Sequence, residues 1–255
     1  MARITTIRKY LLMTTGIVLA AFLLFVIASW IWMATLDLQV QRAHFETLAS
    51  QILGRNVRID GPLSLSPSVF PRVSIENIRI ANPDWATQRD FLVVNRLEVE
   101  ISPLALLRDK FVIREIELTG ATLHLQRGPD QDTTWNFKSD AKRESSSGVM
   151  PDIVALHAKQ ILIIYYPPDR PPVRISIDEL QASLVHDQPV ALTIKGKIRD
   201  FPLSIDLHGG TLAELVDPGK QWPVKGTLDT DIRDFDFEGY VTDPSSFSGI
   251  ELMLS

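Results

Sequence analysis

The longest stretch without a charged side chain runs from Tyr10 to Leu36, directly after the N-terminal tail. As an α-helix it would be roughly 40 Å long, whereas a bilayer core needs only about 20 apolar residues. A cleaved secretory signal has an apolar core of about 7–15 residues that ends in small side chains. This stretch instead ends with the bulky Trp30 and Trp32. The sequence therefore predicts an uncleaved transmembrane helix over residues 10–36, with Tyr10, Trp30 and Trp32 as anchors at the membrane interfaces.

The basic residues on either side predict the orientation of this helix. Residues 1–9 carry three bases, while Arg42 is the only lysine or arginine between the helix and Arg55. Because positive flanks stay in the cytoplasm, we expect residues 1–9 to be a cytoplasmic tail and the rest of the chain to lie outside. In a Gram-negative cell this describes a single-pass inner-membrane protein whose bulk is periplasmic.

Two further short helices are predicted from local patterns. Residues 37–54 predict an amphipathic helix that ends at Gly54, a residue type common at helix C-termini. Residues 103–108 predict another, because Pro103 suits the first turn of a helix. The apolar stripe of the first helix has helical spacing and consists of Leu38, Phe45, Leu48, Ala49 and Ile52.

From residue 55 onward apolar residues recur at every second position, which is the period of strands with one apolar and one polar face. The pattern predicts a mainly β fold over residues 55–255: a curved, mostly antiparallel sheet that is either an open β-groove or a closed sandwich. The period slips at Asn77 and Gly120, where we expect a bulge or bend that curves the sheet. The candidate lining of a groove is Val73, Ile75, Leu97, Val99, Ile101, Ile116, Leu118, Leu123 and Leu125.

The connections between strands have their own signals. Asp60-Gly61 and the proline-rich residues 166–172 are predicted as hairpin connections. Residues 138–152 are polar and aperiodic, so we expect a flexible loop that can be deleted without harm to the fold. Residues 249–255 have the pattern of a strand interior. We therefore expect the chain to be the N-terminal part of a longer protein.

The composition and motifs give no sign of catalysis. The absence of cysteine excludes a disulfide scaffold, a thiolate metal site and a cysteine nucleophile. A net charge of −5 provides no electrostatic footprint for nucleic acid. The five histidines lack metal-binding spacing, and Gly209-Gly210 lacks the context of a phosphate loop. For Asp229, Asp231, Asp234 and Asp236 the pattern favours a solvated strand face over a weak cation site, because no calcium loop follows. We expect neither enzyme activity nor a cofactor.

Several segments follow the N-terminal span in a characteristic order. They are Leu53-Gly-Arg-Asn-Val-Arg-Ile-Asp-Gly-Pro-Leu-Ser-Leu65, Phe70-Pro-Arg-Val-Ser-Ile-Glu-Asn-Ile-Arg-Ile-Ala-Asn-Pro83, residues 97–107, Ile113-Arg-Glu-Ile-Glu-Leu-Thr-Gly120, Thr134-Trp-Asn-Phe137 and Gly239-Tyr-Val-Thr-Asp-Pro244. This ordered set resembles the AsmA family, whose members are envelope proteins anchored in the inner membrane. The resemblance covers nearly the whole chain.

The resemblance implies a periplasmic part related to bridge-like lipid transfer proteins, in which a curved sheet forms an apolar groove that carries phospholipid between the inner and outer membranes. It implies phospholipid and the inner membrane as partners, outer-membrane or periplasmic proteins as further candidates, and a role in outer-membrane biogenesis. The alternating pattern by itself favours a closed core, which would suit a scaffold or assembly factor for outer-membrane proteins. One curved layer with an exposed apolar face would favour transport, and two packed layers would favour the scaffold.

Overall fold

The structure is a computed structural model that describes residues 38–66, 68–108, 110–128, 132–137, 152–168, 170–199, 201–215, 220–243 and 248–254. The predicted tail 1–9 and the predicted transmembrane helix 10–36, with Tyr10, Trp30 and Trp32, lie outside the described residues. Within the described residues, no helix is long and apolar enough to cross a membrane.

The helices are short and lie at the ends of strands. Leu38–Gln41 is a 3-10 helix that leads directly into α1, and Gly54 ends α1 with a φ of 63°. The helix predicted at residues 103–108 forms as α2, with its proline at the first turn. The bounds of the helices are Arg42–Leu53 for α1, Pro103–Leu106 for α2 and Leu212–Leu215 for α3.

The strands form one open, curved sheet; the period-two pattern predicted the curved, mostly antiparallel sheet but left open whether it forms a groove or a sandwich. Their spatial order is β1-β3-β4-β5-β7-β8-β9-β10-β11-β12-β13, with β2 also on β3 and β6 also on β5. β5 pairs in parallel with β6 and β7, and the other described neighbours pair antiparallel. The strands are β1 Val57–Ile59, β2 Leu63–Ser66, β3 Arg72–Ala81, β4 Asp90–Ile101, β5 Val112–Gln126, β6 Asp152–Ile153, β7 Ala155–Tyr166, β8 Val173–Ser183, β9 Pro189–Ile198, β10 Phe201–Thr211, β11 Trp222–Thr230, β12 Asp234–Asp243 and β13 Ser248–Leu254.

A line of residues crosses five neighbouring strands at one height, and we call it the crease: Asn77, Asn95, Gly120, Gln160 and Asp178. Asn77, Gly120 and Gln160 have positive φ angles of 53°, 66° and 57°. Relative to strict alternation, each of these strands contains one extra residue between two apolar positions. Because neighbouring strands contain their extra residues at the same height, regular cross-strand pairs form on both sides of the crease. The predicted slips at Asn77 and Gly120 are confirmed as parts of this single line.

The prediction of a hairpin at Asp60-Gly61 is wrong. β1 and β2 both pair with β3, so residues 60–62 join two halves of one interrupted edge strand. The N–H groups of Asp60 and Gly61 donate to the carbonyl oxygens of Asn77 and Glu76 at 2.9 and 3.1 Å. A Cβ at Gly61 would lie 2.5 Å from the carbonyl oxygen of Glu76. The glycine is required because the backbones approach closely at the crease, and not because the chain turns.

The connection from β5 to β7 also differs from expectation. The predicted loop 138–152 lies outside the described residues, except for Asp152, which begins β6. Because β7 runs parallel to β5, the chain must return to the start of β5. Phe137 packs edge-on against Phe91, near the end of β5, with 5.1 Å between ring centroids, whereas Asp152 pairs with Val112 at its start. Along β5 the position of Phe137 and the position of Asp152 are roughly 35 Å apart, at about 3.3 Å per residue. Residues 138–151 must cover that distance.

A closed apolar cluster lies on the far part of the sheet, under α3. Val190, Trp222 and Val224 are buried there, and the indole N–H of Trp222 donates to the carbonyl oxygen of Thr211 at 3.2 Å. A Cβ at Gly209 would collide with the indole ring, so the Gly209-Gly210 pair makes room for tryptophan. Thr211 and Glu214 form a reciprocal capping box that starts α3, a signal that sequence reasoning missed. The partners of this cluster are Leu184, Leu207, Leu212, Leu215, Phe237 and Val241.

Candidate functional site

The predicted lining residues lie together on one side of the sheet. Val73, Val99 and Ile116 are direct cross-strand neighbours, and Ile75, Leu97 and Leu118 form the next row. Beyond the crease Leu123 pairs with Leu92 on β4 and with Ile163 on β7. The remaining two predicted residues extend the same face, since Leu125 pairs with Tyr165 and Ile101 pairs with Ile113 after a register shift.

Sequence reasoning missed how far this apolar face extends. On β7 and β8 the pairs Ile161–Ile177 and Ile163–Ile175 continue it beyond the crease. The rows run on through Leu192 and Leu207 toward the closed cluster. The signal was present as alternation in residues 161–165 and 173–177, but a sequence does not reveal which alternating strands become neighbours. We call the whole surface from β3 to β9 the trough.

Most of the trough is open to solvent. The isoleucines of β7 and β8 and all nine predicted lining residues are partly exposed. The fully buried positions between them are mostly small, such as Ala121, Ala158 and Ala182. Among the described residues, every buried apolar side chain that belongs to a strand lies on this face, with the exception of Phe91. A second packed layer would bury these isoleucines, and the described residues form no such layer over them.

The opposite face of the same strands carries ion pairs. Arg72 contacts four carboxylates, of which those of Glu98 and Glu100 are nearest at 3.1 and 3.0 Å. The hydrogen bond that Arg72 donates to Glu100 is the main cause of its raised pKa, and the hydrogen bond to Glu98 raises the pKa further. Arg96 pairs with Glu76 at 2.8 Å near the crease. From β3 to β5 the sheet therefore has one apolar face and one charged face, and the charged side chains form ion pairs with one another.

The first edge of the sheet is covered by the polar side of α1. Ser50 Oγ and Glu46 Oε1 accept hydrogen bonds from the N–H groups of Val57 and Ile59 at 2.9 and 2.6 Å. Arg42 Nη2 donates to the carbonyl oxygen of Gly61 at 2.9 Å. An edge strand without such partners is a template for pairing with other chains, so the polar side of α1 protects β1.

The apolar stripe predicted for this helix does not pack against the sheet. Phe45 and Leu48 are each 42% exposed and Ile52 is 71% exposed. Ala49, which the prediction placed on the same stripe, is half-buried. The pattern predicted the helix correctly, and the side of the helix that contacts the sheet is the polar one. The reason is that an edge strand offers unpaired N–H and C=O groups, which polar side chains satisfy better than apolar ones.

The titratable side chains in the part of the chain that the structure describes do not form a metal site. No group of histidine, aspartate and glutamate side chains there could hold a metal ion. Asp229 and Asp234 are cross-strand neighbours at the end of β11 and β12. His124 stacks on Tyr166 with 6.0 Å between ring centroids, and desolvation by burial is the main cause that lowers its pKa. The contact with Tyr166 makes His124 part of the packing on this face of the sheet.

Comparison with known sequences assigns the chain to a protein family. The sequence profile of the AsmA family matches residues 7–233. The chain belongs to the AsmA family. A curated relative, the AsmA family protein YhjG of Escherichia coli (strain K12), is 23% identical over an alignment of 274 positions. That alignment covers 94% of this chain and 40% of the relative, so the chain spans well under half of the relative's length.

Two segments that carried the AsmA resemblance contact each other at the end of the trough nearest α1. The Arg55 guanidinium lies over the rings of Phe137 and Phe91, 4.3 and 5.1 Å from their centroids, and Nη2 donates to the carbonyl oxygen of Asn136 at 3.2 Å. Burial lowers the pKa of Arg55. The arginine after Gly54 and the Trp-x-Phe segment therefore form one clamp that holds the segment 132–137 against β4. A cleft of about 460 Å³ adjoins it, lined in part by Asp84, Trp85 and Asp132.

Proposed function

We propose that this AsmA-family chain is anchored in the inner membrane by residues 10–36 and carries phospholipid along the trough, in the periplasm, between the inner and outer membranes. The observation that carries the proposal is the trough itself: rows of aliphatic side chains that continue from strand to strand and remain partly exposed. Soluble proteins rarely leave so large an apolar surface uncovered unless it binds something apolar.

The direction of the rows supports a path for acyl chains. Each row crosses the strands, so the apolar surface runs along the order of strands in the sheet, from β3 toward β9. A lipid tail that moved along this direction would exchange one set of aliphatic contacts for an equivalent set on the next strand. Its polar headgroup would stay in water at the open side, which avoids the cost of burying it.

The test places one charge in the trough. Val99→Asp puts a carboxylate among Val73 and Ile116, where an acyl chain would have to meet a hydrated charge. Because the site is open, the carboxylate can reach water, so we expect the domain to fold and to lose its co-purifying phospholipid. The measurements are a thermal melting curve and mass spectrometry of lipid extracted from the purified full chain.

Two matched variants frame this result. Thr119→Asp puts the same carboxylate on the charged face, beside Arg96 and Lys159, and should leave both fold and lipid unchanged. Val224→Asp buries it in the closed cluster and should abolish folding, because an unpaired buried charge costs several kcal/mol. If Val99→Asp unfolds like Val224→Asp, a closed core and the scaffold function are favoured. If it folds and retains its lipid, the trough is not the lipid path.

A further inference from the structure

The exposed side of α1 is an interaction surface that the proposed function does not use. Phe45, Leu48 and Ile52 are spaced three and four residues apart, so they share one side of the helix. This side is different from the side that bonds to β1. The three side chains are 42%, 42% and 71% exposed. A third side of the helix, which includes Thr47 and Gln51, is exposed and polar. The helix thus presents one side to the sheet, one apolar side to an absent partner and one side to water.

The sequence next to α1 identifies the chemistry of that partner. The uncharged stretch ends at Leu36, and the 3-10 helix that leads into α1 starts at Leu38. Two residues extend at most roughly 7 Å, so the 3-10 helix would begin close to the point where the stretch leaves the bilayer, and α1 follows it directly. The stretch is also longer than the about 20 residues that a bilayer core needs, which keeps its end near the headgroups.

We infer that α1 lies flat in the headgroup region of the inner membrane, with Phe45, Leu48 and Ile52 inserted among the lipids. The inference rests on the membrane anchor of the proposed function. Interfacial helices of this kind combine an apolar side with a polar side and bury the apolar side at the acyl boundary. Here the remaining side is bonded to β1 through Glu46 and Ser50.

This placement orients the whole sheet. α1 bonds to successive backbone groups of residues 57–61 and therefore runs alongside the first edge of the sheet. If α1 lies on the bilayer, the first edge lies there too, and the order of strands leads away from the membrane. The trough would then begin at the bilayer surface, where lipids could enter it from the leaflet that holds α1.

The test uses the fact that the chain has no cysteine, so each introduced cysteine is unique. Leu48→Cys and Ile52→Cys probe the apolar side, and Thr47→Cys and Gln51→Cys are matched controls one residue away. Leu107→Cys, 82% exposed in the β4–β5 connection, tests the alternative that hairpin ends touch the membrane. The full-length variants are labelled with a polarity-sensitive fluorophore and reconstituted into vesicles of phosphatidylethanolamine and phosphatidylglycerol.

Labels at 48 and 52 should show blue-shifted emission, strong quenching by nitroxide-bearing lipids and little quenching by iodide, with the reverse at 47, 51 and 107. If iodide quenches the labels at 48 and 52, the inference is overturned while the anchor stands. The same holds if these labels are protected from iodide but are not quenched by the nitroxide-bearing lipids, which would indicate contact with a second copy of the protein. If label 107 alone meets lipid, it is overturned as well. Release of the protein by alkaline carbonate would overturn the anchor and the inference together.

Discussion

The trough and the closed cluster around Trp222 are parts of the same apolar face, but they are completed in different ways. Over the cluster, Leu212 and Leu215 of α3 cover Trp222 and Val224, which are 7% and 6% exposed. Over the trough, no described element covers Ile163 or Ile177, which remain partly exposed. The two regions have the same alternating pattern and the same kind of side chains. The difference teaches that a period-two pattern defines a face, while the presence of a covering element decides whether that face is a core or a surface.

The largest effect that separates the two regions should come from Trp222→Ala. Removing the indole leaves a cavity under α3 and an unpaired carbonyl at Thr211, so we expect the free energy of unfolding to fall by about 3–5 kcal/mol. Chemical denaturation of the purified protein, followed by circular dichroism, measures this loss. A loss below about 1 kcal/mol would show that the cluster is as open as the trough.

The crease should be the most sensitive position within the trough. Gly120→Ala forces an L side chain into a φ of 66° and drives its Cβ into the side-chain amide of Asn95. Left-handed geometry alone costs roughly 1–2 kcal/mol, and the collision adds to it. We expect that adding Asn95→Ala to Gly120→Ala restores only the stability that the collision removed. A double-mutant cycle of unfolding free energies measures this difference. Additive effects of the two substitutions would contradict contact between these residues.

The β5–β7 crossover should depend on its length and not on its sequence. Deleting residues 140–148 leaves five residues between Phe137 and Asp152, which reach roughly 20 Å, less than the distance to be covered. We therefore expect the deletion to detach Phe137 from Phe91 or Asp152 from Val112 and to cost about 1–2 kcal/mol. Replacing the same nine residues with glycine and serine should leave the melting temperature unchanged. Equal melting temperatures for deletion and replacement would contradict the parallel pairing of β5 and β7.

The smallest effect should come from Ile163→Ala in the open trough. Ile163 is partly exposed in the folded chain, so its truncation removes less buried area than that of Trp222 and leaves no closed cavity. We expect a loss below about 1 kcal/mol in the same denaturation assay used for Trp222→Ala. A loss as large as that of Trp222→Ala would mean that the trough is covered in solution and would remove the basis of the proposed lipid path.

Much of this architecture could be predicted from local signals. Alternation of apolar residues gave the strands and their apolar face, because side chains along a strand point to opposite sides in turn. The slip between Ile75 and Ile78 located a bend, since an extra residue must be inserted for both to share a face. Pro103 and Gly54 marked helix ends through their restricted and permissive backbone angles. The nine predicted lining residues indeed share one face, although contact with lipid is still a prediction for each of them.

Other features depended on pairing partners that lie far apart in the chain. Nothing near Gly120 reveals that Asn95 and Gln160 stand at the same height, so separate bends could not be recognised as one crease. The parallel pairing of β5 with β7 was equally hidden, and because of it we now expect the length of the predicted loop 138–152 to matter. The hairpin predicted at Asp60-Gly61 failed because β3 bonds to both β1 and β2, which leaves no turn there.

By itself, the sequence determined the elements and the chemical character of their faces, because helix and strand periods are properties of neighbouring residues. It also determined the uncharged N-terminal stretch, whose length and flanking charges carry the prediction of a membrane anchor. Only the tertiary structure decided which faces are covered. The polar side of α1 bonds to the edge of β1 while Phe45 and Ile52 stay exposed, and α3 closes over Trp222 while the trough stays open. Burial depends on what packs from outside a segment, and that is set by contacts distant in sequence.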